Sequence, residues 1–228
     1  MNRFFAKCCL AFIIALTSLH LPAFSQTTVV IEADRDNTMF SENIGLSNGS
    51  GQRLFAGVTK NGHVRRALLH FDIAGNIPAG VSITNATLTM NVSKVRTTTS
   101  QTMNLHVITE NWGEGSSDAN GQEGMGIPAA SGDATWVHTF FSQIFWQNSQ
   151  GGGSFAPVPV ASTSVGATGS YSWNSTAMAA DVQSWLDNPG TNFGWMMIGN
   201  ESTNMTAKRF DSREQTTTSV RPRLTICV

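Results

Sequence analysis

The sequence predicts an all-β fold, a jelly-roll-like antiparallel β-sandwich with one short helix. Three observations carry that expectation. Residues 86–92 alternate strictly, with Ala86, Leu88, Met90 and Val92 on one side and Thr87, Thr89 and Asn91 on the other. This is the pattern of a strand with one buried and one wet face. Charged residues are only 13% of the chain and aromatics 9%, with 21 Gly. That composition suits short strands and many turns rather than a helical bundle, which needs Glu, Lys, Ala and Leu in quantity. Finally, a single segment carries a helical apolar stripe.

Taken in order, the first 25 residues read as an export signal. Arg3 and Lys7 give a basic start, and Cys8 to Leu21 form an apolar run. The run is short of the roughly 20 residues a membrane span needs. Ala23-Phe24-Ser25 supplies a small-x-small cleavage site, so the mature chain begins at Gln26. It keeps 203 residues with 12 basic and 15 acidic side chains, and of three cysteines only Cys227. A disulfide framework is therefore closed to it, and stability must come from a core, which a chain of this length can bury.

Thr28 to Ile31 is a β-branched run and reads as the first strand. Residues 34–62 are polar and Gly/Asn-rich, broken only by Leu54-Phe55. Asn61-Gly62 signals a turn into a strand from His63 to Ile73. Leu68 and Leu69 are adjacent and both apolar, which predicts a central strand covered on both faces. Met103, Leu105 and Val107 repeat the alternation. Residues 109–170 read as a long irregular stretch holding Trp112, Trp136 and Trp146. Ala177 to Leu186 is the helix. Met178, Val182 and Trp185 form its stripe, Asn174, Ser175 or Thr176 its cap, and Asp187-Asn188-Pro189-Gly190 its stop. Strands follow at Phe193–Ile198, Ala207–Arg213 and Arg223–Val228. In the last, Leu224, Ile226 and Val228 face the core and Cys227 faces away. No repeat or linker interrupts residues 26–228, which are expected to form one domain.

These segments, in this order, resemble the DNRLRE domain family, secreted β-sandwich domains related to a carbohydrate-binding module family. The matching stretches are ADRDNTMFSE at 33–42, SNGSGQRLFAG at 47–57, RRALLHFDIAGNIPAG at 65–80 and ITNATLTM at 83–90. NWGEGSSDA at 111–119, GDATW at 132–136, ADVQSWLDNPGTNFGW at 180–195, AKRFDSRE at 207–214 and RPRLTI at 221–226 continue it. The resemblance implies a jelly-roll-like sandwich acting on extracellular glycans and carries over no catalytic residue.

The charges and aromatics suggest where a glycan would sit. A formal net charge of −1 leaves no bulk field to hold nucleic acid or an anionic membrane. Yet Arg53, Lys60, Arg65 and Arg66 fall in one stretch without an acid. They could clamp a carboxylated or sulfated sugar, since Arg binds such groups bidentately. Alternatively, one of the adjacent pair Arg65 and Arg66 is structural, bound to an acid such as Asp72. Trp112, Trp136 and Trp146 could flank a sugar ring or plug the ends of the sandwich, whereas Trp185 and Trp195 are expected in the core. Arg209, Asp211 and Arg213 share a strand face and read as cross-strand ion pairing.

Oxygen ligands for a structural Ca²⁺ are offered by the loop carrying Glu110, Glu114, Asp118, Asn120 and Glu123, with Asp118, Asn120 and Glu123 as the metal set. Asp34, Asp36 and Glu42 form a second cluster. Catalytic motifs are missing: there is no GxSxG or HExxH, and His63, His70, His106 and His138 lack metal-ligand spacing. Glu110 and Glu114 could serve a glycosidase only at the right separation. The expectation is thus a secreted, non-catalytic carbohydrate-binding or extracellular matrix domain, with acidic polysaccharide as the candidate glycan. The competing readings are a structural surface or adhesion module and a small polysaccharide lyase or hydrolase.

Overall fold

A computed structural model describes residues 26–148 and 150–228. The export signal expected over residues 1–25 lies outside the described residues. In chain order the strands are β1 (Thr28–Glu32), β2 (Arg35–Phe40), β3 (Leu46–Ser47), β4 (Arg53–Val58), β5 (Val64–His70), β6 (Asn85–Val95) and β7 (Gln101–Val107). Then come β8 (Ile127–Pro128), β9 (His138–Phe140), β10 (Ile144–Phe145), β11 (Ala161–Val165) and β12 (Gly169–Asn174). Helix α1 (Thr176–Asp187) precedes β13 (Trp195–Ile198), β14 (Lys208–Asp211) and β15 (Arg223–Cys227). The described residues form an all-β antiparallel sandwich with this one α-helix.

The first layer runs β1-β15-β6-β12, with β14 also beside β6. The second runs β2-β5-β13-β7-β11. Strand β4 belongs to both. Its residues 53–56 pair with β14 and Gly57 and Val58 pair with β5. The strand changes layers at Gly57, whose φ is +109° and whose added Cβ would sit 2.9 Å from the Ala207 Cα. No other residue type fits that corner without strain.

Between the layers lie Leu88, Met90, Trp173, Phe210 and Leu224 from one side and Leu69, Met103, Leu105 and Trp195 from the other. Helix α1 adds Met178, Val182, Trp185 and Leu186 to the same core. Among its three candidate caps Ser175 serves, accepting from the Met178 N–H at 3.0 Å. Trp185 and Trp195 meet at 4.6 Å in the core, as expected. Leu224 and Ile226 are buried and Cys227 is half-exposed on the opposite side, as period two requires.

A second, smaller core lies on the outer side of the second layer. Met39, Leu68, Met196 and Ile198 are covered there by Ile108, just after β7, and by Trp112, Ala134 and Trp146 from the irregular stretch. The stretch therefore acts as a lid on the sheet. Leu68 and Leu69 face different cores, which is why the strand is apolar on both sides.

The structure departs from expectation in two places. Residues 34–62, in which the polar, Gly/Asn-rich sequence marks no strand, hold β2, β3 and β4. In β2, Asp36, Asn37 and Thr38 are fully buried. Asn37 satisfies its amide by donating to Ser47 Oγ and the Glu114 carbonyl while accepting from the Thr38 and Asn48 N–H groups. Polar residues can line an interior when their groups find partners, as those of Asn37 do, and hydropathy then misses the strand. Likewise β11 and β12 emerge from the end of the stretch read as irregular. No helix among the described residues is long and apolar enough to cross a membrane. Because β5 and β13 contribute to both cores, we expect thermal unfolding in one transition with a β-dominated circular dichroism spectrum. Two separable transitions would show that the lid and its core melt on their own.

Candidate functional site: a basic groove on the first layer

The outer side of the first layer carries a groove of about 760 Å³, lined among others by Phe55, Lys60, Lys94, Arg96, Met205 and Arg209. That volume lies within the range of roughly 300–1,000 Å³ usual for ligand clefts. Its charge follows from one irregularity. Strand β6 pairs Val92 with Phe210 and Lys94 with Arg209, so the register shifts between them. A bulge inserts one residue and reverses the alternation beyond it. Without it Lys94 would follow Met90 and Val92 inward. With it Lys94 turns out beside Arg209, and Val95 packs against the core instead.

Two cations therefore sit directly opposite each other across a strand pair, an arrangement that is destabilising by itself. Both donate to the same neutral acceptor, Gln122 Oε1, each at 2.8 Å. Burial, and after it the nearby Arg53, lowers the Arg209 pKa. Lys60 and Arg96 are exposed at the rim. No acid lines the groove, and among the described residues none of Lys60, Lys94, Arg96 and Arg209 makes an ion pair. The floor is fixed by Lys208, whose buried ammonium donates to the carbonyls of Thr97, Thr99 and Gly166 at 2.9–3.1 Å.

Of the expected clamp, only Lys60 reaches this groove with a free head group. Arg53 pairs with Asp211 at 2.9 Å, directly opposite it on β14. That is the cross-strand ion pairing expected of the β14 stripe. Arg65 is buried, bonded to both oxygens of Glu42 and to the Gly124 carbonyl, and lies 4.5 Å from the Phe40 ring centroid. Arg66 is bidentate to Glu201 and lies over Trp136 and Phe155. Both arginines are thus held by acids, and Asp72 is neither partner. It accepts from the Gly75 N–H in a turn. Trp112 and Trp146 are buried, with their indole N–H groups on the Phe193 and Thr135 carbonyls. They roof the second core and offer no open face to a sugar ring. Trp136 is half-buried beneath Arg66.

The expected metal set does not converge. Asp118 and Asn120 point to solvent, while Glu123 is buried and accepts from Asn48 Nδ2. Asp34 bonds His70 and Glu42 bonds Arg65, which leaves Asp36 alone of its cluster. Glu110 accepts from the Gln147 N–H and Glu114 binds Arg213, so each has a separate structural partner. Asp36, Glu114 and Glu214 come together instead. Burial raises the Asp36 pKa well above its ordinary value. Burial, and then Glu114, raises Glu214 to about 7.

No protein-family model matches this chain, and no curated protein matches it. Lys94, Arg96, Arg209 and Gln122 were not legible as a group. One local signal existed: a lysine at the next inward position after Met90 and Val92 points to a bulge.

Proposed function

We propose that this is a secreted, non-catalytic glycan-binding domain that takes acidic polysaccharide in the basic groove. The observation that carries the reading is the opposed pair Lys94 and Arg209, which share the neutral acceptor Gln122 Oε1 in a groove lined by no acid. An anionic group entering there would meet two cations whose mutual repulsion it relieves. Carboxylate or sulfate suits the Arg209 guanidinium, and Lys60 and Arg96 extend the positive rim along a chain of repeating charge. Met205, exposed at the groove, supplies apolar area for a ring face. The resemblance to DNRLRE domains points to extracellular glycans in general, and the acidic preference rests on the groove.

The test is a Lys94→Ala/Arg96→Ala double variant, assayed on a polyuronate and a sulfated glycan. Both side chains are exposed, so the melting temperature should move little. Affinity should fall at least about tenfold, which is the loss of one charge-assisted contact. Unchanged affinity in the folded variant would move the binding site elsewhere. New reducing ends or unsaturated sugars produced by the parent protein would replace binding with catalysis.

A further inference from the structure

Three carboxylates distant in sequence meet where β2, the start of the lid and the segment after β14 come together. One oxygen from each of Asp36, Glu114 and Glu214 lies within 4.8 Å of the other two. Asp36 is fully buried. Its Oδ2 accepts from the Arg213 N–H at 2.7 Å, but its Oδ1 is buried with no hydrogen-bond partner. No other buried side-chain nitrogen or oxygen among the described residues is left in that state.

The surrounding cations do not resolve this. Arg213 donates to both oxygens of Glu114 at 2.6 and 2.7 Å and lies 2.9 Å from Glu214 Oε1. Arg35, beside Asp36 in sequence, donates to the Trp112 carbonyl at 2.6 Å and stacks over that indole. The Arg213 guanidinium thus bonds two of the three carboxylates directly, and Asp36 receives only the backbone N–H of that residue. Fully ionised, the group has two negative charges in excess, and one of its oxygens is buried without a donor. Both features oppose folding.

We propose that Asp36, Glu114 and Glu214 hold a Ca²⁺ ion that joins β2 to the lid and to the segment after β14. A divalent cation balances the excess charge and supplies the missing partner for Asp36 Oδ1. Ca²⁺ takes oxygens at about 2.3–2.6 Å, so two ligands of one ion are at most about 5 Å apart. The three oxygens, all within 4.8 Å of one another, meet that limit. A donor set of oxygens alone, without His or Cys, selects a hard cation. Ligands fixed on three separate segments suit the flexible coordination of Ca²⁺ better than the strict octahedron of Mg²⁺. Ser212 Oγ donates to the Gly51 carbonyl at 2.7 Å and accepts from the Glu214 N–H at 3.1 Å, which ties down the segment that carries the third ligand.

The experiment is thermal unfolding of the purified protein, stripped with EDTA and titrated with CaCl₂ or MgCl₂. Saturating Ca²⁺ should raise the melting temperature by about 5–10 °C, with less than half that rise for Mg²⁺. Glu214→Gln should abolish the rise and leave the melting temperature in EDTA unchanged or higher, because one like charge is gone. A purely ionic network with Arg213 would instead be weakened by that variant in EDTA. Asp118→Ala, in the exposed part of the same loop, should keep the full rise. Metal analysis of the dialysed parent protein should find one Ca²⁺ per chain, a measurement that does not depend on any variant folding. No Ca²⁺ after dialysis against CaCl₂, an equal rise with Mg²⁺, or a rise that survives Glu214→Gln would overturn the assignment.

Discussion

Arg65→Ala is expected to destabilise the protein by about 3–5 kcal/mol, the usual cost of removing one partner from a buried ion pair. The Arg65 side chain is 2% exposed and Glu42 is 20% exposed. Truncation strands the Glu42 carboxylate, which then regains only part of its hydration. It also removes the donors to the Gly124 carbonyl and the cation over the Phe40 ring. Glu42→Ala should cost at least as much, since the more deeply buried charge is then left alone. For a chain of this length the shift in melting temperature is roughly 10 °C. Chemical denaturation of the two single variants and the double variant would measure it. The double variant should be more stable than the sum of the singles implies, because it strands neither charge. A loss below about 1 kcal/mol in both singles would show that water reaches the pair.

Lys208→Met is expected to cost about 2–4 kcal/mol. Methionine keeps the apolar stem and loses all three donors. The carbonyls of Thr97, Thr99 and Gly166 then have no ammonium between them. The cost stays below the sum of three buried orphans because Thr99 is exposed and Thr97 half-buried, so water can reach their carbonyls. Thr97 also lines the groove. Glycan affinity should therefore fall together with stability in this variant, whereas Lys94→Ala should lower affinity alone. Hydrogen exchange should show faster opening of residues 97–101 and 165–169. Stability equal to the parent would mean that Lys208 is not a strut between these two segments.

The sandwich was legible where hydropathy follows geometry. The alternation at 86–92, the stripe Met178, Val182 and Trp185, and the adjacent Leu68 and Leu69 each report a local period. Strand β2 was hidden because Asp36, Asn37 and Thr38 are buried through bonds to residues far along the chain, such as Glu114 and Arg213. The same remoteness misdirected the site. Arg53, Arg65 and Arg66 look unpaired within their own stretch, yet Asp211, Glu42 and Glu201 reach them from other segments. Lys94 and Arg209 are 115 positions apart in number, and only the bulge at the end of β6 turns them to one side. No sequence period announces such a meeting, since a register shift belongs to the strand pair.

The basic groove is tested most directly by the affinity of the purified protein for a polyuronate, a sulfated glycan and a neutral glucan, each measured between about 50 and 200 mM salt, where screening becomes severe. Binding of the two acidic glycans, weakening at least about tenfold across that range with no binding of the neutral one, is the expected result. Equal affinity for all three, unmoved by salt, would contradict the basic groove as the binding site.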